Sequence, residues 1–286
     1  MRFIFTSDYS FENPYWSAAG CDWTAEHCAM VNSSGGFKAI QSDRVSHDGF
    51  TIGYIGTQSY AKLHPDFVQY CKEVSDLPGV RFTMVGDKTN AEQILADAGA
   101  VGIQDKFCLI DYDSDVSREF AKMDVFGYLL NPKHFGTTEN VLLEAMAAGL
   151  PVVCLDQCAE RCLVKHGETG LLVDNPKEYR EAIEFLYKYP EERQRLGENA
   201  RRYVRQKFSV GKTLLGLTAV YDEVLQHEKR SYSFQKVFGE QPYEYFLACL
   251  PCELRQEFEA NLKNNTALAP QSWPRILKEK SKSSLL

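Results

Sequence analysis

What this sequence lacks narrows its class before any motif is read. No window approaches the roughly 18 consecutive apolar residues that a membrane-spanning helix requires, and the apolar run in the opening MRFIFTSDYS is too short for a secretory signal. The expected location is the cytoplasm, with a peripheral contact at the inner membrane face left open. An excess of positive charge is absent too. The formal net charge of the 286 residues is −7, which gives no reason to expect a nucleic-acid partner. The nine cysteines are an odd number, and Cys108 and Cys154 fall in apolar segments, where they suit small buried hydrophobes better than a disulfide framework. Cys154, Cys158 and Cys162 recur every four residues. The first belongs to a strand-like run and the others to the loop and helix after it, with no CxxC pair, so no metal site is expected. No internal repeat is found.

What is present is a hydrophobic content of 44%, enough for a substantial core. Between residues 50 and 173 short apolar runs alternate with helix-like segments, the pattern of a parallel sheet covered on both faces. Strands are expected at 50–56, 81–86, 106–110, 125–130, 151–155 and 170–173. Helical spacing puts Val116, Phe120 and Met123 on one face of a helix between the third and fourth strands. The fold class is α/β, a doubly wound parallel sheet. Beyond it, Tyr179, Ala182, Ile183 and Leu186 form one stripe, and Leu196, Ala200, Val204 and Phe208 form another that starts after Pro190, a favourable first helical residue. The dense mixed charge of residues 190–208 reads as a solvated helix face. Four segments are expected: a short N-terminal one at 1–49 with a strand-like run near residue 3, the α/β domain at 50–210, a helical extension at 211–264 with one helical segment over 243–262, and a loose tail at 265–286.

In an open α/β sheet, ligands bind outside the carboxyl ends of the strands. The first such loop carries Gly56 for close backbone approach, Thr57 as a hydroxyl, and Lys62 as a point charge for a phosphate or as a solvated helix-start lysine. The fourth loop belongs to NPKHFGTTENVLLEAMAAGLPVVCL, residues 131–155. Its Gly136, Thr137, Thr138, Glu139 and Asn140 stand where a helix begins and backbone N–H groups lack partners. Two readings follow: an anion at the helix start, or Thr137 or Thr138 capping the helix. Glu144 is the one carboxylate in the nearly all-apolar helix that follows. Buried there, it needs a partner, either a ligand hydroxyl pair or a protein group.

The run ENVLLEAMAAGLPVV resembles the signature of the retaining glycosyltransferases of family 4, which have the GT-B architecture of two facing Rossmann-like domains. GYIGT with Lys62, RFTMVGD, DVFGYLLNP and AERCLVKHGETGLLV follow the order of that family's C-terminal, donor-binding domain, and the likeness covers roughly residues 50–208. It implies transfer of a sugar from a UDP- or GDP-sugar with retention of configuration and without a metal or other cofactor. Lys62 and Glu144 would carry the chemistry: Lys62 would contact the diphosphate and Glu144 the ribose hydroxyls. The backbone amides around Asn140 and Val141 would cap the diphosphate, and Asp111 and Tyr112 would lie near the base. As the glycosidic bond breaks, the leaving diphosphate gains charge that a lysine and a helix dipole stabilise.

Three positions depart from the family pattern. Gly136 stands where a second glutamate is usual, eight residues before Glu144, with Glu139 the nearest carboxylate. Thr57 stands where an arginine is common. Only 49 residues precede the first strand, too few for an acceptor-binding domain, so segment 1–49 is expected to be a remnant of one. His27, His47 and His134 fall in no motif that would make one of them the sugar-contacting histidine. Two functions follow. One is a glycosyltransferase of polysaccharide biosynthesis whose glycan or lipid-linked acceptor is held with the help of a partner chain or second copy. The other is a nucleotide-sugar-binding module without turnover of its own.

Overall fold

The computed structural model describes residues 2–12, 27–33, 37, 40, 44–88, 90–113, 115–134, 136, 138–229, 231, 233–240, 242–250 and 252–264. The chain divides into two compact units, Met1–Pro14 with Asp22–Val224, and Tyr15–Cys21 with Leu225–Leu286.

The first unit is built on a six-stranded sheet of β3 (Phe50–Ile55), β4 (Val80–Val85), β5 (Phe107–Ile110), β6 (Val125–Tyr128), β7 (Val152–Leu155) and β8 (Gly170–Val173), preceded in the chain by β1 (Phe3–Phe5) and β2 (Cys28–Met30). All six strands run parallel in the order β5-β4-β3-β6-β7-β8. They match the six runs expected from the sequence to within two residues at either end. Every residue of β3, β6 and β7 is buried, as a sheet covered on both faces requires. The fold is α/β and Rossmann-like.

Helices α2 (Phe67–Glu73), α3 (Ala91–Ala100), α4 (Val116–Phe120), α5 (Asn140–Ala147), α6 (Cys158–Leu163), α7 (Pro176–Lys188) and α8 (Pro190–Lys207) supply the cover, after the short α1 (Asp8–Glu12). Their packing follows from side-chain spacing. Tyr179, Ala182, Ile183 and Leu186 bury one face of α7, which packs on α2, and Leu196, Ala200 and Val204 bury one face of α8, which packs on α5. The start of α7 is set locally: Asn175 Oδ1 accepts from the Glu178 amide at 3.0 Å, and Pro176 takes the first helical position. The helix expected around Val116, Phe120 and Met123 closes at Phe120, yet Phe120 and Met123 are both buried.

Two N-terminal and C-terminal details differ from the sequence reading. Segment 1–49 holds a second strand besides the expected one, and the two pair in parallel, Phe3 with Cys28 through Phe5 with Met30. Three residues are too few to show a period, which is why β2 left no pattern to read. The single helical segment expected over 243–262 is two helices, α11 (Pro242–Ala248) and α12 (Cys252–Asn264), after α9 (Val210–Leu225) and α10 (Phe234–Phe238). Pro251 stands in the sequence between them, and a proline has no N–H to continue a helix ladder. Within the second unit, Phe246 meets Phe258 edge-to-face at 5.3 Å.

At the amino edge of the sheet, the Asp124 carboxylate accepts from the Thr51 amide at 2.9 Å and lies 3.4 Å from His47 Nε2 and 3.5 Å from Arg193 Nη2. It ties β3, β6, α8 and the segment before β3 together.

Candidate functional site

From β3 the chain winds one way to β4 and β5, and from β6 the other way to β7 and β8, so a crevice opens outside the carboxyl ends of β3 and β6. The loops that follow these two strands are bonded to each other. His64 N donates to Leu129 O at 2.9 Å, Asn131 N to Lys62 O at 2.8 Å, and Asn131 Nδ2 to Tyr60 O at 3.1 Å. Lys62 is thereby held at the crevice. Beside it, Gly56 has φ of +152°, and a Cβ on Gly86 would meet the Gly56 carbonyl oxygen at 2.2 Å, so the two glycines let these loops cross. Gln58, fully buried, turns its amide nitrogen to the carbonyls of Met84, Gly86 and Ile110 at 3.0–3.3 Å and joins the ends of β4 and β5 to the loop.

The centre of the site is an acid cluster. Tyr128 donates to Glu139 Oε2 at 2.5 Å, Lys62 Nζ lies 4.0 Å from the same oxygen, and His134 Nε2 lies 3.8 Å from Oε1. Lys62 also stands over the Tyr128 ring at 5.6 Å. Burial, and then the Glu139 charge, hold the Tyr128 hydroxyl well above the usual phenol range. Glu160, 2% exposed on α6, shares a small pocket with Asn131, His134, Gly136, Glu139 and Gln157. Burial pushes its carboxyl up to about 7, with Glu139 acting in the same direction and the Gln157 hydrogen bond and Lys62 against it.

The structure distributes the sequence-predicted residues unevenly. It brings Lys62, Gly136 and Glu139 together: a Cβ on Gly136 would meet Glu139 Oε1 at 1.9 Å, so the Glu139 carboxylate occupies the space in which a side chain at 136 would begin. Thr137 lies outside the described residues. Thr138 does not cap α5, because its hydroxyl is buried without a hydrogen-bond partner. Glu139 takes the N-cap position and makes no side-chain cap bond, so among the described residues no side chain caps the amides of Asn140 and Val141. Glu144 is half-buried. Burial raises its carboxyl above the ordinary range, and no hydrogen bond or ion pair reaches it among the described residues. Thr57 is exposed. Asp111 and Tyr112 follow the edge strand β5, two strands or about 10 Å from β3. Asp111 lies 3.6 Å from Lys88, and Tyr112 is largely exposed.

Tyr128, Gln58 and Glu160 are the members that sequence reasoning missed. Tyr128 reads there as one more aromatic of a buried strand. The only signal was Glu160 as a carboxylate among Ala159, Leu163 and Val164, the same kind of signal that singled out Glu144.

The family described as Glycosyl transferases group 1 matches residues 37–203, more than half of the chain. The chain is 27% identical over 197 residues to spore coat protein SA of Bacillus subtilis (strain 168), covering 64% of this chain and 52% of that protein. It is 28% identical over 190 residues to the capsular polysaccharide biosynthesis glycosyltransferase CapM of Staphylococcus aureus, covering 65% and 49%. The chain thus spans about half the length of these relatives. Among solved structures, HepE of Anabaena in complex with UDP superposes with a TM-score of 0.67 at 17% identity, over 78% of this chain and 64% of that one. The same protein with UDP-glucose gives 0.65 at 16% identity, over the same shares. At this identity the likeness is one of fold, the Rossmann-like domain of the GT-B glycosyltransferases.

Proposed function

The chain belongs to the Glycosyl transferases group 1 family, and from that membership we propose that it binds a nucleotide-sugar in the crevice outside β3 and β6 and takes part in transferring the sugar to a glycan or lipid-linked acceptor. The observation that carries this reading is the start of α5. Its amides have no side-chain cap among the described residues, and Lys62 stands 4.0 Å from the carboxylate of the residue just before it. A helix N-terminus and a lysine together suit a diphosphate. The complexes of the Anabaena protein with UDP and UDP-glucose favour a uridine donor here, with a GDP-sugar as the next to test.

In this reading, Glu144 accepts from the ribose hydroxyls, which gives a half-buried carboxylate its missing partner. Gly56 and Thr57 line the first loop, and Asp111 and Tyr112 stand towards the base. Glu139, in the space of a residue-136 side chain, faces the sugar hydroxyls beside His134. As the glycosidic bond breaks, negative charge gathers on the diphosphate, where Lys62 and the α5 dipole are already oriented to receive it. That arrangement asks for no metal ion. Retention, as in the family 4 enzymes that the helix signature resembles, belongs to the same reading. The acceptor is held with a partner chain or a second copy.

Titration with UDP, GDP and ADP, then with the matching sugar nucleotides, tests the donor site. One of them should bind more tightly than about 1 mM. Failure of all of them at that level overturns the reading. Donor hydrolysis or transfer, with the product anomer read by NMR, tests the chemistry. Binding without turnover would assign a nucleotide-sugar-binding module.

A further inference from the structure

Helix α9 is held by one face against the chain around β1 and β2. Thr213 Oγ1 donates to Asn32 O at 2.8 Å, a Cβ on Gly216 would meet Val31 Cγ1 at 3.0 Å, Val220 is buried, and Glu223 pairs with Arg2 at 2.8 Å. At 3.6 residues per turn these four positions share one side of the helix. Beside them runs a second stripe of Val210, Leu214, Leu217, Tyr221 and Val224. Leu217 is half-buried, and the other four are 43% to 58% exposed. We infer that this stripe pairs with the same stripe of a second copy of the chain, the two helices running in opposite directions.

The stripe has the spacing of a helix-helix seam. Its steps of four, three, four and three residues average the 3.5-residue period at which apolar side chains interlock along a supercoiled pair. The five positions stay within an arc of about 80°, so one facing helix covers them all. A helix face meant for water carries charge, as α8 does, and a helix lying on a membrane surface carries Lys and Arg on its polar face. In contrast, α9 has one cation, Lys212, and two acids, Asp222 and Glu223.

The residues flanking the seam point to the partner. In paired helices, charges at these positions select one partner over another. Here they are Thr213 and Val220 on one side and Gly211, Thr218 and Leu225 on the other, none of them charged. Such a seam offers a foreign helix no charge to match and sets nothing against a copy of itself. The helix ends give the direction. Lys212 and the positive end of the dipole stand at the N-terminus, and Asp222 and Glu223 at the C-terminus, so antiparallel pairing brings unlike ends together. Two helices of 16 residues cover less than the roughly 1,600 Å² of a standard interface, so a concentration-dependent dimer is expected, with Kd on the order of 10 μM.

Sedimentation equilibrium of the full chain between about 1 and 200 μM tests the pairing, and the chain should pass from monomer to dimer across that range. Leu214→Glu and Tyr221→Glu each place a carboxylate in the seam at an exposed position. Both should raise Kd more than about tenfold while leaving the melting temperature of the dilute chain unchanged. Leu215→Glu, at a largely exposed apolar position about 140° round the helix from the middle of the stripe, should leave Kd unchanged. A chain that stays monomeric overturns the inference, as does a dimer that survives both seam variants or is lost equally in Leu215→Glu. A monomer that binds phosphatidylglycerol vesicles through Leu214 would assign the stripe to a membrane surface in place of a second copy. A monomer destabilised by the seam variants would assign it to a contact within the chain. UDP affinity should be the same in the parent and in Leu214→Glu, so a failure here is distinguishable from a failure of the donor site.

Discussion

The two ends of helix α5 are treated in opposite ways. At its C-terminal side backbone carbonyls are met by side chains: Arg205 Nη2 donates to Ala147 O at 3.4 Å, and Arg44 to Gly149 O, in the turn just beyond the helix, at 3.2 Å. Cations at that end complement the helix dipole. At its N-terminus no described side chain caps the amides, the Thr138 hydroxyl is buried without a partner, and the Glu144 carboxylate has none among the described residues. Polar groups left unmatched inside a fold cost stability, so where they gather the fold keeps capacity for a ligand. Where they are matched, as around Asp124, the chain uses them as scaffold.

The contrast is broken most severely on the scaffold side. Asp124→Ala leaves the Thr51 amide without its acceptor and Arg193 without its carboxylate, and should cost about 3 kcal/mol in urea unfolding, with nucleotide affinity of the folded fraction unchanged. A loss under about 1 kcal/mol would show that this edge is not the scaffold it resembles.

Glu160 gives the next largest effect, and its sign is set by burial. Its folded carboxyl titrates near 7, above the ordinary value, so below the unfolded value both states are protonated and stability is unaffected. As pH rises from about 4.5 to 7, the unfolded chain loses the proton first and the folded state becomes relatively less stable, by up to about 3 kcal/mol. Glu160→Gln should remove that decline: nearly equal to the parent at pH 4.5, and the more stable of the two at pH 8. Parallel stability curves across that window would refute the assignment.

Glu144→Ala sharpens the comparison from the ligand side. It should weaken UDP binding about tenfold while leaving the melting temperature unchanged or slightly raised, since it removes a half-buried carboxylate with no partner among the described residues. A large loss of stability with unchanged binding would return Glu144 to the scaffold. The smallest effect is expected at Gly136→Ala, whose new Cβ must displace Glu139 Oε1. It should lower affinity for UDP-glucose about threefold relative to UDP, by less than about 1 kcal/mol.

The sheet was legible because each strand is a short apolar run that local composition alone defines, and α7 and α8 because four residues at helical spacing mark each buried face. The break between α11 and α12 was legible in principle, in Pro251, and the apolar positions on either side concealed it. Lys62 and Glu144 were identifiable as charges in the right loops. Tyr128 and Gln58 were not, because their meaning lies in partners that are distant in the chain: Tyr128 meets Glu139, and Gln58 meets Met84 and Ile110.

By itself the sequence determined the class of the fold, the six strands, the buried stripes of α7 and α8, and a helix start rich in small and oxygen-bearing residues after β6. These are local properties, since strand and helix periods repeat within a few residues. Tertiary structure alone decided that Glu139 fills the space beside Gly136, that Lys62, His134 and Glu160 surround it, and that Asp124 gathers the Thr51 amide, His47 and Arg193 at the other edge. Each of these depends on loops brought together by a parallel sheet, whose neighbouring strands are joined by long crossovers, and no local period carries such a contact.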